Sequence, residues 1–246
     1  MKLITFGCSY SDISNTDDDT INANSDVVYP RVLGDKYNYD SLNLASCGYS
    51  NDKIIKKLFE NVQTDTTYIC QITFLHRRGR YVDVAEEWID FQPAFFQQPT
   101  IKDKKVNWKI MEDYYFDATK TDEPRSKSYL TLSDDTKNQL RNWYGDYMKL
   151  IHNDDEEFKH LMYQIDMLES YVQKFNSRIM FIYWPEVRNE IELSELQKRK
   201  FLSISDNYSM LNWSTSNNLL GWDSHMNPKG HELLADEINV FINEWQ

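Results

Sequence analysis

Short apolar runs that end in Gly, Pro or a polar turn mark the buried strands of this chain. Three such runs predict strands at Lys2 to Phe6, Thr67 to Phe74 and Arg178 to Trp184. In the stretch "DSLNLASCG", Leu42 and Leu44 alternate with polar residues and predict a further strand that ends in a turn.

Apolar residues spaced three and four apart predict three helices between these strands. The first begins at Ser50 or Asn51 as N-cap, the second is long and starts at about Glu156, and the third covers "HELLADEINVFINEW". A shorter helix is predicted in "YPRVLGDKY", where Pro30 suits the first turn and Gly34 suits the end.

Strands that alternate with helices predict a parallel sheet with crossover helices, and therefore an α/β fold. We expect a three-layer α/β/α sandwich formed by a single domain over residues 1–246. The polar segment from Asp12 to Asp26 is interpreted as a solvated loop. Between about 77 and 140 no period is visible, so this stretch is predicted to be a large insertion or lid within the domain.

Composition excludes some classes of function. Hydrophobic residues make up 41% of the 246 residues, which is enough for a core, and the net charge of −12 disfavours binding to nucleic acid or to an anionic membrane. The apolar run in "MKLITFG" is too short for a secretory signal, so we expect a cytoplasmic protein. Cys8, Cys47 and Cys70 form neither a CxxC pair nor a zinc pattern and are interpreted as buried thiols.

Candidate catalytic residues follow the strands, at the edge where parallel sheets bind ligands. Ser9 follows the first strand, and Asp223 and His225 precede the last helix. A serine needs a base to become a nucleophile, and a carboxylate can orient the histidine that serves as that base. The backbone N–H groups of Ser9 and Gly48 would form an oxyanion hole. Taken singly, each of these residues also suits an ordinary cap or turn.

The same residues resemble the SGNH hydrolases, also called the GDSL esterase/lipase family. Gly7-Cys8-Ser9, with Ser11 after it, matches the family's first block, and Asn43 with Gly48 matches its second. Asp223 and His225, followed by Gly230, match the last block. "MKLITFGCSYS" and "NLASCGYSNDKI" further resemble the compact members common in phage genomes.

This resemblance implies a flavodoxin-like sheet, no obligatory cofactor and hydrolysis of ester bonds such as O-acetyl groups on sugars. In family terms Ser9 is the nucleophile, His225 the base and Asp223 its orienting partner. The substrate would be an ester or an O-acetylated carbohydrate, and a phage origin would allow assembly into a virion.

Three departures from the family pattern bear on activity. Cys8 replaces the usual Asp, and Asp223 precedes His225 by two residues instead of three. The third block's Asn, which completes the oxyanion hole, is missing, and losing one such donor costs about a hundredfold to a thousandfold in rate. Candidate substitutes follow in the chain: Asn51, Thr73, His76 and Arg77.

Two residues compete with the expected catalytic pair. His231 is a second candidate base, although its position on the first turn of the last helix favours a structural hydrogen bond. Cys8 is a second candidate nucleophile, which would have to point away from the family's hydroxyl position. The functional hypotheses are therefore a serine esterase or a binding module that kept the fold without the chemistry. A flavin- or nucleotide-binding protein is disfavoured, because neither GxGxxG nor a P-loop is present.

Overall fold

The computed structural model describes residues 1–8, 11, 27–46, 49–75, 77–83, 86–91, 132–184, 199–204, 208–220 and 225–244. Its strands are β1 (Lys2–Phe6), β2 (Asp40–Asn43), β3 (Thr66–Ile72), β4 (Arg78–Val82), β5 (Glu87–Phe91) and β6 (Arg178–Tyr183). Its α-helices are α1 (Tyr29–Tyr37), α2 (Asn51–Glu60), α3 (Asp134–Asp146), α4 (Asp154–Gln173), α5 (Met210–Ser216) and α6 (Pro228–Glu244). A π-helical segment, Tyr147–Ile151, joins α3 to α4.

Four strands form a parallel sheet in the order β2-β1-β3-β6. The expected α/β fold with a parallel sheet is therefore confirmed. The chain visits the strands in the order of flavodoxin-like sheets, in which the direction of winding reverses between the first and third strands. Parallel bridges from Phe181 to Phe201 and from Tyr183 to Ser209 extend the sheet beyond β6.

Helices cover both faces of this sheet, because alternate residues of each buried strand point to opposite sides. Leu3, Ile69 and Met180 pack on one face against α1, α5 and α6. Ile4, Tyr68 and Phe181 pack on the other face against α2 and α4. Strand burial on two sides explains the continuous apolar runs that predicted these strands.

Within the predicted insertion, β4 and β5 pair as an antiparallel hairpin outside the parallel sheet. The hairpin has a small core of its own, which it shares with α3 and the π-helix. That core contains Val82, Ile89, Leu132, Tyr144 and Tyr147.

Polar groups at the start of α2 hold the hairpin in place. The N–H of Gly79 donates to Asp52 Oδ2 at 2.9 Å, and the N–H of Ser50 donates to Asp90 Oδ1 at 2.9 Å. Lys53 Nζ lies 3.2 Å from Asp90 Oδ2. The hairpin is therefore attached beside the helix that begins at the carboxyl edge of the sheet.

The start of α2 agrees with the sequence-based prediction, whereas the end of α1 does not. Ser50 is the N-cap of α2, accepting a hydrogen bond from Lys53 N–H, as one of the two predicted candidates. The predicted end of α1 at Gly34 is wrong, since the helix continues to Tyr37 and ends at Asn38 with φ 59°. Asn tolerates this left-handed conformation, so a glycine is not needed there. No helix in the described ranges is long and apolar enough to cross a membrane.

Candidate functional site

The turn after β1 lies at the carboxyl edge of the sheet, next to the end of β3. Ser11 N–H donates to Cys8 O at 3.0 Å, which closes the turn, and both of these residues are fully buried. The predicted nucleophile Ser9 lies between them, outside the described residues. Cys8 and Ser11, one residue before and two residues after Ser9, are therefore held in the core.

A chain of hydrogen bonds runs beneath this turn. Ser11 Oγ donates to Gln71 Oε1, and Gln71 Nε2 donates to Cys8 Sγ at 3.6 Å. The Tyr29 hydroxyl oxygen lies 2.8 Å from Ser11 Oγ. Because the Ser11 proton goes to Gln71, Tyr29 is the donor in the Tyr29–Ser11 contact. One carboxamide thus binds the residues on both sides of Ser9.

Gly7 makes this arrangement possible. A Cβ at this position would lie 2.8 Å from Gln71 Oε1, 2.9 Å from Gln71 Cβ and 2.9 Å from Ser11 Oγ. The register of the sheet pairs Phe6 with Cys70, which places Gln71 beside Gly7. The glycine that the family pattern requires is explained here by close packing against a neighbouring side chain.

The turn after β2 is tied to the turn after β1 by two hydrogen bonds. Ser46 N–H donates to Gly7 O at 3.2 Å, and Asn43 Nδ2 donates to Ser11 O at 2.6 Å. Asn43 Oδ1 also accepts from Ala45 N–H at 3.1 Å. Gly48, the second predicted oxyanion donor, lies outside the described residues. The segments that precede Gly48 and surround Ser9 are therefore neighbours.

The C-terminal segment approaches the same edge through Tyr29. The ring of His231 stacks on Tyr29, with centroids 6.3 Å apart and an interplanar angle of 26°. His225 lies close enough to His231 to influence its protonation electrostatically. Cys8, Tyr29 and Met226, the residue after His225, belong to one core cluster. Residues about two hundred positions apart thus pack together.

Two backbone contacts hold the chain that directly follows His225. Leu220 forms an antiparallel bridge with Met226, and Asn227 N–H donates to Leu219 O at 2.8 Å. His225 itself is half-buried, with both ring nitrogens shielded from solvent. Asp223, the predicted orienting carboxylate, lies outside the described residues.

Asn51, a candidate third donor to the oxyanion, forms hydrogen bonds with the backbone of Thr73. Thr73 N–H donates to Asn51 Oδ1 at 2.8 Å, and Asn51 Nδ2 donates to Thr73 O at 3.1 Å. This reciprocal pair fixes the chain just past β3 to the first residue of α2. It uses one of the two Nδ2 protons of Asn51.

The other substitutes for the missing Asn are placed as follows. Thr73 is fully buried, and its Oγ1 makes no hydrogen bond to the described part of the chain. The guanidinium of Arg77 is buried and lies 5.2 Å from the centre of the Phe74 ring. His76 lies outside the described residues.

Burial sets the protonation of several groups at this edge. It raises the pKa of Tyr29 well above its ordinary value, so the phenol stays a hydrogen-bond donor. Burial, together with the neighbouring His225, lowers the pKa of His231 to about 4. His231 is therefore neutral at pH 7. Its Nδ1 has no hydrogen-bond partner in the described ranges, and its ring stacks on Tyr29.

Cys8, the competing nucleophile, has no exposed surface, and its sulfur accepts the hydrogen bond from Gln71. A thiol reacts as an exposed thiolate. The structure thus places Cys8 beneath the turn, as part of the core cluster that contains Tyr29.

Two residues of this site were absent from the sequence-based set. Gln71 is the single polar residue in the apolar run "YICQI", and such a residue in a strand buried on both faces must find hydrogen-bond partners. A polar residue in an apolar strand could therefore have identified Gln71 from the sequence. No sequence pattern identifies Tyr29, since its role depends on which residues the fold brings to its hydroxyl.

Comparison with known proteins adds little to this geometry. No protein-family model matches the chain, and no curated protein matches it. Among solved structures it is similar to the crystal structure of the protein YXIM from Bacillus subtilis, with 11% identity and a TM-score of 0.39. The match covers 99% of this chain and 56% of the other, so the chain spans just over half the length of that protein. A similarity this low carries no argument about function.

Proposed function

We propose that this protein is a serine ester hydrolase with the SGNH hydrolase fold, in which Ser9 is the nucleophile, His225 the base and Asp223 the residue that orients His225. Its proposed substrates are O-acetyl groups on carbohydrates or similar small acyl esters. The hairpin-bearing region from 77 to 140 is, in this proposal, the insertion that distinguishes the chain from the bare fold.

One observation carries the proposal: the segments next to Ser9 and next to His225 pack around Tyr29. Ser11 and Tyr29 are joined by a 2.8 Å hydrogen bond, Tyr29 stacks on His231, and Met226, the residue after His225, belongs to the same core cluster as Cys8 and Tyr29. The flanks of the predicted nucleophile and the predicted base therefore share one edge of the sheet. That edge is where parallel α/β sheets bind their ligands.

The chemistry follows the general pattern of acyl transfer. His225 takes the proton from Ser9 Oγ as that oxygen attacks the ester carbonyl. The N–H groups of Ser9 and Gly48 donate to the oxygen that becomes negative, with Asn51 as a further donor. The alcohol leaves with a proton returned by His225, and water then releases the acyl group from Ser9 by the same steps in reverse.

A groove beside α2 supports a carbohydrate as the alcohol portion. It has a volume of about 460 Å³ and lies between α2, the hairpin and α4. Its lining combines aromatic faces with hydroxyl-binding groups: Asp52, Ile55, Lys56, Phe59, Glu60, Trp88 and Gln164. Aromatic rings flanked by carboxylate, amide and amine groups suit the apolar faces and hydroxyls of a sugar.

The test is turnover of p-nitrophenyl acetate together with labelling by a fluorophosphonate probe. We expect labelling at Ser9, and loss of both labelling and turnover in Ser9→Ala and His225→Ala. Ser170→Ala and His160→Ala, on exposed positions of α4, are the matched controls and should retain activity. Cys8→Ala separates the thiol from the hydroxyl, since a thiol enzyme would lose its labelling in this variant. An absence of turnover and of Ser9 labelling in the wild type would refute the proposal.

The carbohydrate part has a test of its own. Trp88→Ala should raise KM for an acetylated oligosaccharide about tenfold and leave KM for p-nitrophenyl acetate within about twofold, since only the larger substrate reaches the groove. Tyr163→Ala removes an exposed aromatic ring that does not line the groove and is the control. Equal effects of Trp88→Ala on both substrates would argue against a sugar in the groove.

The bonding of Asn51 favours a second candidate, a binding module with this fold and without catalysis. Its carboxamide is held by the backbone of Thr73, so its geometry serves the junction between β3 and α2. If this role excludes donation to an oxyanion, the departure from the family's third block leaves the site short of a donor. A folded wild type that fails to turn over esters, and still binds acetylated oligosaccharide in calorimetry, would support this candidate.

A further inference from the structure

We propose that Gln71 is the positioning residue of the turn that carries Ser9. This inference deepens the proposed function, on which its catalytic part rests. Gln71 fixes Cys8 and Ser11, which lie one residue before and two residues after Ser9, relative to β3.

The contacts of the Gln71 carboxamide divide between the two ends of the turn. Its Nε2 donates to Cys8 Sγ at 3.6 Å, one residue before Ser9, and its Oε1 accepts from Ser11 Oγ, two residues after Ser9. In this arrangement the amide group faces the sulfur of Cys8 and the carbonyl oxygen faces the hydroxyl of Ser11. The two ends of one side chain therefore bind two different residues of the turn.

The surroundings leave the carboxamide little freedom to move. Gln71 is 1% exposed, and its side chain packs in the space that a Cβ on Gly7 would fill. The backbone of β3 carries it, and β3 lies between β1 and β6 in the middle of the sheet. A catalytic group is placed best by a support on a rigid element. A central strand is such an element.

Tyr29 completes the arrangement from the other side. Its hydroxyl donates to Ser11 Oγ, which then donates to Gln71 Oε1. Because Tyr29 also stacks on His231, these contacts join the turn after β1 to the first turn of α6. Of the residues in these contacts, Gln71 is the one that belongs to the sheet, since it lies in β3.

The first test uses thiol chemistry and needs no enzymatic activity. Cys8 and Cys70 are both fully buried, and Cys70 lies next to Gln71 in the strand. Burial raises the pKa of Cys70 to about 12, so this thiol reports opening of the sheet. Native protein is treated with iodoacetamide, and the peptides that contain each cysteine are quantified by mass spectrometry.

In Gln71→Met, which keeps the length of the side chain and removes both hydrogen bonds, we expect Cys8 to be alkylated about tenfold faster while Cys70 stays protected. Ser11→Ala, which removes one of the two bonds and leaves Gln71 in place, should have the same effect to a smaller extent. Ile69→Val destabilises the same strand and leaves both hydrogen-bonding partners of Gln71 in place, so it is the control. Alkylation of Cys8 at the wild-type rate in Gln71→Met, or of Cys8 and Cys70 together, would overturn the proposal.

The second test is kinetic. Gln71→Met should lower kcat for p-nitrophenyl acetate about a hundredfold with KM within about twofold, since a displaced nucleophile loses rate without losing substrate binding. Gln71→Glu retains an acceptor for Ser11 and should recover part of that loss. An active wild type with unchanged kcat in Gln71→Met would overturn positioning while leaving the esterase intact. An inactive wild type with the expected alkylation of Cys8 would refute the esterase and leave the anchoring of the turn supported.

Discussion

The hydroxyl oxygens of Ser11 and Tyr29 lie 2.8 Å apart in the interior of the protein. This contact joins the turn after β1 to the first residue of α1. Because Tyr29 also stacks on His231, it connects both ends of the chain at one edge of the sheet. The candidate site is therefore supported by buried polar contacts, and the stability of this edge can be measured residue by residue.

Tyr29→Phe should lower the free energy of unfolding by about 1 kcal/mol, because Ser11 loses its hydrogen-bond donor in a site that water does not reach. Urea denaturation followed by tryptophan fluorescence measures the change. Tyr39→Phe removes a hydroxyl that donates to Asn239 Oδ1 at 2.6 Å in a partly buried position, and it should cost less. Equal stability of Tyr29→Phe and wild type would contradict the importance of this contact.

Gly7→Ala should destabilise the protein by about 1 to 3 kcal/mol, since the added methyl group would overlap with Gln71 and Ser11. Gly34→Ala is the matched control, because a Cβ there meets its nearest neighbour, Ser41 Cβ, at an ordinary 3.4 Å. Gly34 lies inside α1, so alanine should stabilise the helix by about 0.5 to 1 kcal/mol. Thermal unfolding of both variants tests the pair, and a loss of stability in Gly34→Ala alone would reverse the interpretation.

Arg78→Met should cost about 2 kcal/mol, because the guanidinium pairs with two carboxylates that are mostly buried. Arg78 Nε lies 3.3 Å from Asp52 Oδ2, and Nη1 lies 2.9 Å from Glu157 Oε2. Burial already raises the pKa of Asp52, and Arg78 opposes that rise. Limited proteolysis should then cleave the β4–β5 hairpin faster than in wild type.

The control for Arg78→Met is Lys159→Met. Lys159 pairs with Glu156 at 2.7 Å on an exposed face of α4, where such a pair is worth less than about 1 kcal/mol. We expect unchanged proteolysis and near-wild-type stability. If both substitutions cost the same, burial of the Arg78 cluster would not be the reason for its effect.

Stability should fall as the pH decreases from about 6.5 to about 4, and His231 is the residue responsible. Its folded pKa of about 4 lies below the ordinary 6.5, so in this window the unfolded chain binds a proton that the folded chain does not. The loss approaches roughly 3 kcal/mol at the acid end, at about 1.36 kcal/mol for each pH unit. Tyr29 stacks on the His231 ring, and the charge of His225 also lowers the pKa of His231.

His231→Phe preserves the stacking on Tyr29 and removes the titrating group. Urea denaturation at a series of pH values should show a smaller decline for this variant than for wild type. His160→Phe, on an exposed position of α4, serves as the control for removing a histidine. An identical decline in His231→Phe and wild type would show that another group causes it.

The elements of this fold were predictable where a local pattern decides them. β1, β3, β6, α2, α4 and α6 lie close to their predicted bounds, because burial on one or both sides imposes a period that is visible in the chain. The β4–β5 hairpin and α3 were not predicted. Their apolar residues serve one small cluster, and the hairpin is held to α2 by polar groups such as Asp52 and Asp90, whose partners are distant in sequence.

The sequence by itself determined the α/β class and indicated that Ser9, Gly48, Asp223 and His225 follow strands or precede the last helix. Only the tertiary structure decided that Gln71 lies beneath Gly7, that Tyr29 joins Ser11 to His231, and that Asn51 binds the backbone of Thr73. The physical reason is that periodicity reports whether a residue faces the core. Hydrogen bonds between side chains depend on strand register and on the packing of helices from distant parts of the chain.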